Sequence, residues 1–148
     1  MIKKKLVIIS LIIFLTSCGF TPIYLKNTNT NFSIEQVNYT GDRELNNFLK
    51  INLIQYKNKN DNKIFIDVES TYKKIILSKD STGKATNYQL EAEVIFLIKP
   101  TNKQIKISEK KIMKNMDDKF EESRYEKSVK QNFASSISYK LTSELIIN

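Results

Sequence analysis

Residues 87–98 read NYQLEAEVIFLI, and their alternation decides the fold class. Tyr88, Leu90, Ala92, Val94, Phe96 and Ile98 fall on one parity, while Asn87, Gln89, Glu91 and Glu93 fall on the other. Side chains alternate across a strand with period two, so this segment is a strand with one apolar and one largely polar face. Such a strand belongs to a sheet covered on one side only. Immediately upstream, Asp80-Ser81-Thr82-Gly83 supplies turn chemistry, and before it Lys63–Ser78 places Ile64, Ile66, Val68 and Tyr72 on a common parity. The adjacent Ile75-Ile76-Leu77 breaks that parity, which predicts a bulge or twist near Lys73-Lys74. Downstream, Pro100-Thr101-Asn102 turns the chain into a third strand over Gln104–Met113, whose apolar positions also change parity midway. Three long strands joined by tight turns form an antiparallel meander.

The flanks supply the other layer. Gly41-Asp42 marks a turn and a helix N-cap, followed by Leu45, Phe48, Leu49, Leu53 and Tyr56 at helical spacing over Arg43–Tyr56. Before it, Phe32–Tyr39 reads as a short strand with one irregular step. At the far end Tyr125, Val129, Phe133, Ile137, Leu141 and Leu145 recur every four residues. A row at that spacing slips about 40° per step against a 3.6-residue turn, so it winds around the helix and suits one that crosses a twisted sheet. Both Asp118-x-x-Glu121 and Ser123-x-x-Glu126 match a capping box, which leaves two starts for this helix. The expected fold is α+β: a two-layer sandwich with a mostly antiparallel four-stranded sheet, two helices on one face and the order β-α-β-β-β-α. It occupies residues 32–148 as a single domain.

Residues 1–17 read as an export signal. Lys3, Lys4 and Lys5 precede an apolar run from Leu6 to Leu15. That run is about half the length of a membrane-spanning helix, which needs about 20 residues. Leu15-Thr16-Ser17-Cys18 then matches a lipobox, in which a bulky apolar residue and two small ones precede the acceptor cysteine of bacterial lipoproteins. Cys18 is the chain's only cysteine, so no internal disulfide forms. Lipidation there puts a diacylglycerol and an N-acyl chain on Cys18, and no other cofactor is expected. Two or three acyl chains hold a soluble domain at a membrane essentially permanently, where one binds marginally. Residues 18–31 are then the lipidated N-terminus and a polar tether ending in KNTNTN.

Composition narrows the function. The 148 residues contain 24 Lys and Arg against 16 Asp and Glu, a net charge of +8, and no His. Without imidazole, Ser-His-Asp and Cys-His catalysis and His-ligated zinc are excluded. The carboxylate pairs Asp117-Asp118 and Glu121-Glu122 sit where a helix dipole favours them, and Glu91 and Glu93 are outward strand positions. The chain is therefore not expected to be an enzyme or to hold a metal. Removing the three signal lysines leaves 21 basic against 16 acidic side chains, or +5. Export makes nucleic acid an unsuitable partner for that surplus. An anionic lipid suits it better, and Lys73, Lys74, Lys79 and Lys84, on or near the hairpin between the first two meander strands, are candidate contacts.

Cys18-Gly19-Phe20-Thr21-Pro22-Ile23-Tyr24 resembles the mature N-terminus of the LptE family of lipopolysaccharide-assembly lipoproteins, which often begin Cys-Gly-Phe-x-Pro-Leu-Tyr. Ile23 stands where leucine is usual. The order of elements also resembles that family's α+β sandwich. The resemblance implies a lipid-anchored protein on the periplasmic side of the cell outer membrane. There it would plug and support a large LptD-type β-barrel that assembles lipopolysaccharide, with lipopolysaccharide itself as a partner. The alternative is a free-standing, periplasm-facing lipoprotein that binds lipid or an anionic envelope polymer without a barrel. Both readings require the anchor: Cys18→Ala is expected to abolish incorporation of labelled palmitate in cells, and persistent labelling would show that the lipobox assignment is wrong.

Overall fold

The computed structural model describes residues 31–57 and 61–146. The export signal, Leu15, Thr16, Ser17, Cys18 and nearly all of the tether lie outside the described residues. The chain runs β1 (Ser33–Gly41), α1 (Arg43–Leu53) with a 3-10 turn at Ile54–Tyr56, β2 (Lys63–Lys79), β3 (Ala85–Lys99), β4 (Lys103–Lys114) and α2 (Lys119–Ile146). The strands form one sheet in sequential order, with β2–β3 and β3–β4 antiparallel. β1 pairs with β2 in parallel, so the sheet is mixed. The α+β order read from the sequence is the observed one.

Local chemistry sets most of the boundaries. The Asp42 side chain accepts a hydrogen bond from the Leu45 amide and starts α1. α1 closes at Leu53, and the stripe's last residue, Tyr56, belongs to the 3-10 turn. Asp118 starts α2, its Oδ1 accepting from the Phe120 and Glu121 amides, which resolves the two possible caps in favour of the earlier one. The irregular step foreseen in β1 is a register shift between Ile34 and Gln36. At the corner between β1 and α1 the backbones approach closely. Gly41 has φ +95, and Asp42 N donates to Ser70 O at 3.1 Å. Ser70 Oγ and Asn46 Nδ2 both donate to Thr40 O, so the corner is tied to β2 and α1 together.

The expected bulge near Lys73-Lys74 needs correction. Pairing of β2 with β3 is regular from Phe65 through Ile76, so there is no irregularity at Lys73-Lys74; the shift falls at Leu77, between Ile76 and Ser78. β4 pairs with β3 without any shift from Lys103 to Lys114. In both strands a charged residue occupies a position on the helix-facing side: Lys74 in β2, and Glu109 and Lys111 in β4. Up to Ile76 in β2 and throughout β4, the breaks in the apolar pattern are polar residues facing inward on a regular backbone.

Both helices cover the same face. The core is built from Leu45 and Leu49 of α1, Val94 and Phe96 of β3, and Val129 and Ile137 of α2, all nearly or fully buried. Burying each such side chain contributes about 1.5–3 kcal/mol. The every-fourth row of α2 is buried from Val129 through Leu141, with Tyr125 and Leu145 packed at its ends. Ala134 and Ser138 are buried beside it and keep the helix close to its neighbours. Among the described residues, no helix covers the opposite face of the sheet.

A Cβ on Gly41 would lie 1.9 Å from Ser70 O, a backbone atom that cannot move without breaking the corner. Gly83, in the β2–β3 turn at φ +86, has nothing within 4 Å. Gly41→Ala should therefore lower stability by about 3 kcal/mol or more, and Gly83→Ala by about 1 kcal/mol. Equal urea midpoints for the two variants would contradict the corner's role.

Candidate functional site

The end of the sheet that carries the β2–β3 turn gathers the sequence-predicted lysines, but not into one patch. Adjacent strand residues point to opposite faces, so Lys73 and Lys74 are separated by the sheet. Lys73 lies on the open face beside Thr71, Glu91 and Glu93. Lys79 ends β2, and Lys84 flanks the turn, its Nζ 3.4 Å from Asp117. The turn is rigidly made: Asp80 Oδ1 accepts from Thr82 N, Thr82 Oγ1 and Lys84 N. Those bonds, led by the Thr82 side chain, hold the Asp80 carboxyl below its usual pKa. Between the turn and the end of β4 an open hollow of about 360 Å³ is lined by Lys84 and Lys114 with Thr86, Asn87 and Asn115.

The open face is polar in its middle and aliphatic at this end. Lys106–Glu93 at 2.9 Å and Lys110–Glu91 at 3.2 Å tie β4 to β3 across that face. Beyond them Ile75, Gln89 and Ile112 stand in one register row, and Ile112 is 64% exposed. Leu77 is exposed next to them at the bulge. The change of parity read in this strand puts Ile112 and Met113 on opposite faces, with Met113 buried and Ile112 outward. The outward placement of Ile112 follows from the unbroken register of β4.

Lys74 is the lysine whose surroundings the sequence did not foretell. Its Nζ donates to Glu122 Oε1 at 2.8 Å and Glu126 Oε2 at 3.0 Å, and it lies 4.5 Å from the centre of the Tyr88 ring. Burial pulls the ammonium pKa down, but the two carboxylates outweigh burial and the net shift is upward. Glu122 is 6% exposed and also accepts from Lys119 Nζ and the Met116 amide. The bond from Lys74, aided by those two and opposed by burial, lowers its pKa to about 2. One turn further along α2, Lys130 bonds Glu44 of α1 at 2.9 Å and sits 4.1 Å over the Tyr72 ring. The Tyr72 hydroxyl is buried and meets no acceptor in hydrogen-bond geometry. Burial first, and then the charge of nearby Glu126, push the pKa of this phenol up.

This architecture has relatives among solved structures. Rare lipoprotein B from Shewanella oneidensis superposes with a TM-score of 0.56 at 14% identity, over 75% of this chain and 93% of that one. Lipoprotein B from Nitrosomonas europaea gives 0.54 at 15% identity, over 79% and 86%. The fold is that of these lipoproteins. A minor lipoprotein from Acinetobacter baumannii gives 0.50 at 16% identity, over 74% and 94%. No protein-family model and no curated protein sequence matches the chain. Among the described residues no helix is long and apolar enough to cross a membrane.

The ion cluster around Glu122 has a pH signature. A carboxyl whose pKa is lower in the folded state adds stability that is fully present above its unfolded pKa, about 4.3, and is lost as pH falls through the folded value. The protein should therefore lose stability between about pH 5 and pH 2, and Glu122→Gln should make that loss shallower. Urea midpoints at pH 7, 5 and 3 test this. Parallel losses in the parent and the variant would remove Glu122 from the explanation.

Proposed function

We propose that the chain is a non-enzymatic outer-membrane lipoprotein, anchored through acyl chains on Cys18 and lodged in a large LptD-type β-barrel that assembles lipopolysaccharide. The observation that carries this reading is a coincidence. A domain with the fold of the lipoprotein B structures follows a sequence in which the one cysteine stands directly after Leu15-Thr16-Ser17 and opens Cys18-Gly19-Phe20-Thr21-Pro22-Ile23-Tyr24. Motif and fold come from separate parts of the chain and point the same way.

Surface chemistry supports a barrel lumen as the surroundings. The helix-free face of the sheet carries the Glu91–Lys110 and Glu93–Lys106 pairs, which are at home against a polar, water-lined wall and ill suited to lipid. A compact domain of about 130 residues has a radius of gyration near 14 Å and a diameter of roughly 35 Å, which calls for a barrel at the large end of the known range. The aliphatic and lysine-bearing end, with Ile75, Leu77, Ile112, Lys73, Lys79 and Lys84, provides apolar contact and cationic contact side by side. That combination suits a phosphorylated lipid, with Lys79 and Lys84 nearest the headgroup.

Isolation of the full-length protein through a C-terminal tag, from cells that express it natively, is the direct test. Recovery of a large β-barrel in stoichiometric amount is the expected result. Recovery of the acylated protein without a barrel refutes the plug and leaves a free-standing lipoprotein.

A further inference from the structure

The inner face of the sheet changes character along α2. From Val129 onward the helix buries mostly apolar side chains, whereas over residues 119–128 the one buried side chain is Glu122. These first turns are held by charge: Lys74 to Glu122 and Glu126 on one side, and Lys111 with its Nζ 5.6 Å from the Tyr125 ring on the other. In register, Lys74 of β2 and Lys111 of β4 flank Leu90 of β3. The turn that touches both lysines therefore roofs Leu90, which is fully buried. In the adjacent row Ile76, Tyr88 and Met113 lie side by side. Met113 is 1% exposed while Ile76 is 50% exposed, so this apolar floor runs out into solvent at one edge.

We propose that residues 119–128 form a lid, and that its opening uncovers a slot over Leu90 and Met113 which takes an acyl chain of an anionic amphiphile while the headgroup replaces Glu122 and Glu126 on Lys74. Three features carry the proposal. The carboxylates of the lid that meet Lys74, Glu122 and Glu126, are held there by ionic contacts for which an anionic headgroup can substitute. Between the two lysines, Leu90 continues into Tyr88, Met113 and the exposed Ile76 as an apolar strip. The lysine at the mouth already sits against the Tyr88 ring, so its cation stays partly accommodated while its carboxylate partners leave. A lysine on the inward parity of β2, which otherwise holds mainly apolar residues such as Ile66, Val68 and Ile76, is costly to keep as packing, because a well-packed apolar residue serves stability as well. A lid gives it a use. The inference adds a ligand-responsive element to the lipid-contacting end described above, and it rests on that reading only for the identity of the lipid.

Hydrogen exchange on the purified full chain tests it. Short-chain phosphatidylglycerol, lipid A and short-chain phosphatidylcholine are the probes. The first two are anionic and come from different sources, and the third is neutral overall. At least threefold faster exchange of amides 119–128 with either anionic probe, unmatched by phosphatidylcholine and with β3 still protected, supports the lid and identifies its ligand source. No acceleration with either anionic probe, or equal acceleration with phosphatidylcholine, overturns it. Glu122→Gln with Glu126→Gln is expected to speed exchange at 119–128 and tighten binding at least threefold. Lys74→Met should also speed exchange but weaken binding at least tenfold. Unchanged binding by Lys74→Met overturns the headgroup assignment even where that variant is less stable, because the wild-type exchange data stand independently. The barrel reading fails separately: exchange on the isolated chain does not depend on whether a barrel is recovered from cells.

Discussion

The approach of Gly41 to the Ser70 carbonyl is the constraint on which the layering depends. At this point β1 ends, the chain turns through a positive φ and the Asp42 amide bonds back to β2. A parallel partner cannot be reached by a tight hairpin, so β1 and β2 require a crossover, and crossovers within one sheet are overwhelmingly right-handed. The corner launches α1 directly into that crossover. α1 comes down on the face that α2 later shares, with Lys130 of α2 reaching Glu44 of α1. With both helices on one side, the other side of a four-stranded sheet is left to interact with something outside the domain.

The elements themselves were largely legible because their signals are local. Alternation marks β3, Asp42 caps α1 where a turn signal precedes a helical stripe, and the every-fourth row of α2 matches its buried face from Val129 to Leu141. The failures share one physical cause. Parity arguments assume that inward means apolar, yet Lys74 meets carboxylates on α2 and Glu109 meets Ser136 and Lys140 there, each partner far along the chain. A charge whose neutralising partner lies in a distant helix reads locally as an outward residue, so β2 looks bulged at Lys73-Lys74, where its pairing is regular. The parallel sense of β1 was illegible for a similar reason, since it depends on where α1 packs.

The same blindness limited the candidate site. Four lysines close in sequence looked like one basic cluster, and the sheet divides them: Lys73 on the open face, Lys74 under α2, Lys79 and Lys84 at the turn. Composition counted charges without their counterions. Lys74, Lys106 and Lys110 are each matched to a carboxylate, so much of the positive charge along the sheet is neutralised within the fold. What distinguishes this end of the sheet is the company its lysines keep, namely the exposed Ile75, Leu77 and Ile112, which no charge count registers.

The uneven attachment of α2 follows from the same geometry. A single helix of 28 residues spans a sheet whose inner face is mainly apolar beneath its later turns, with Glu109 meeting Ser136 and Lys140, and carries Lys74 and Lys111 beneath its first. Apolar contacts are non-directional and persist through small displacements, whereas the Glu122 cluster requires specific distances and weakens if a competing anion arrives. Local opening draws on the least apolar part of a structure. The first turns of α2 are that part of this helix, and they lie at the same end of the molecule as the exposed aliphatic row. The weakest anchorage of the helix and the surface best suited to a lipid are therefore neighbours, because both arise where the sheet extends past its apolar core.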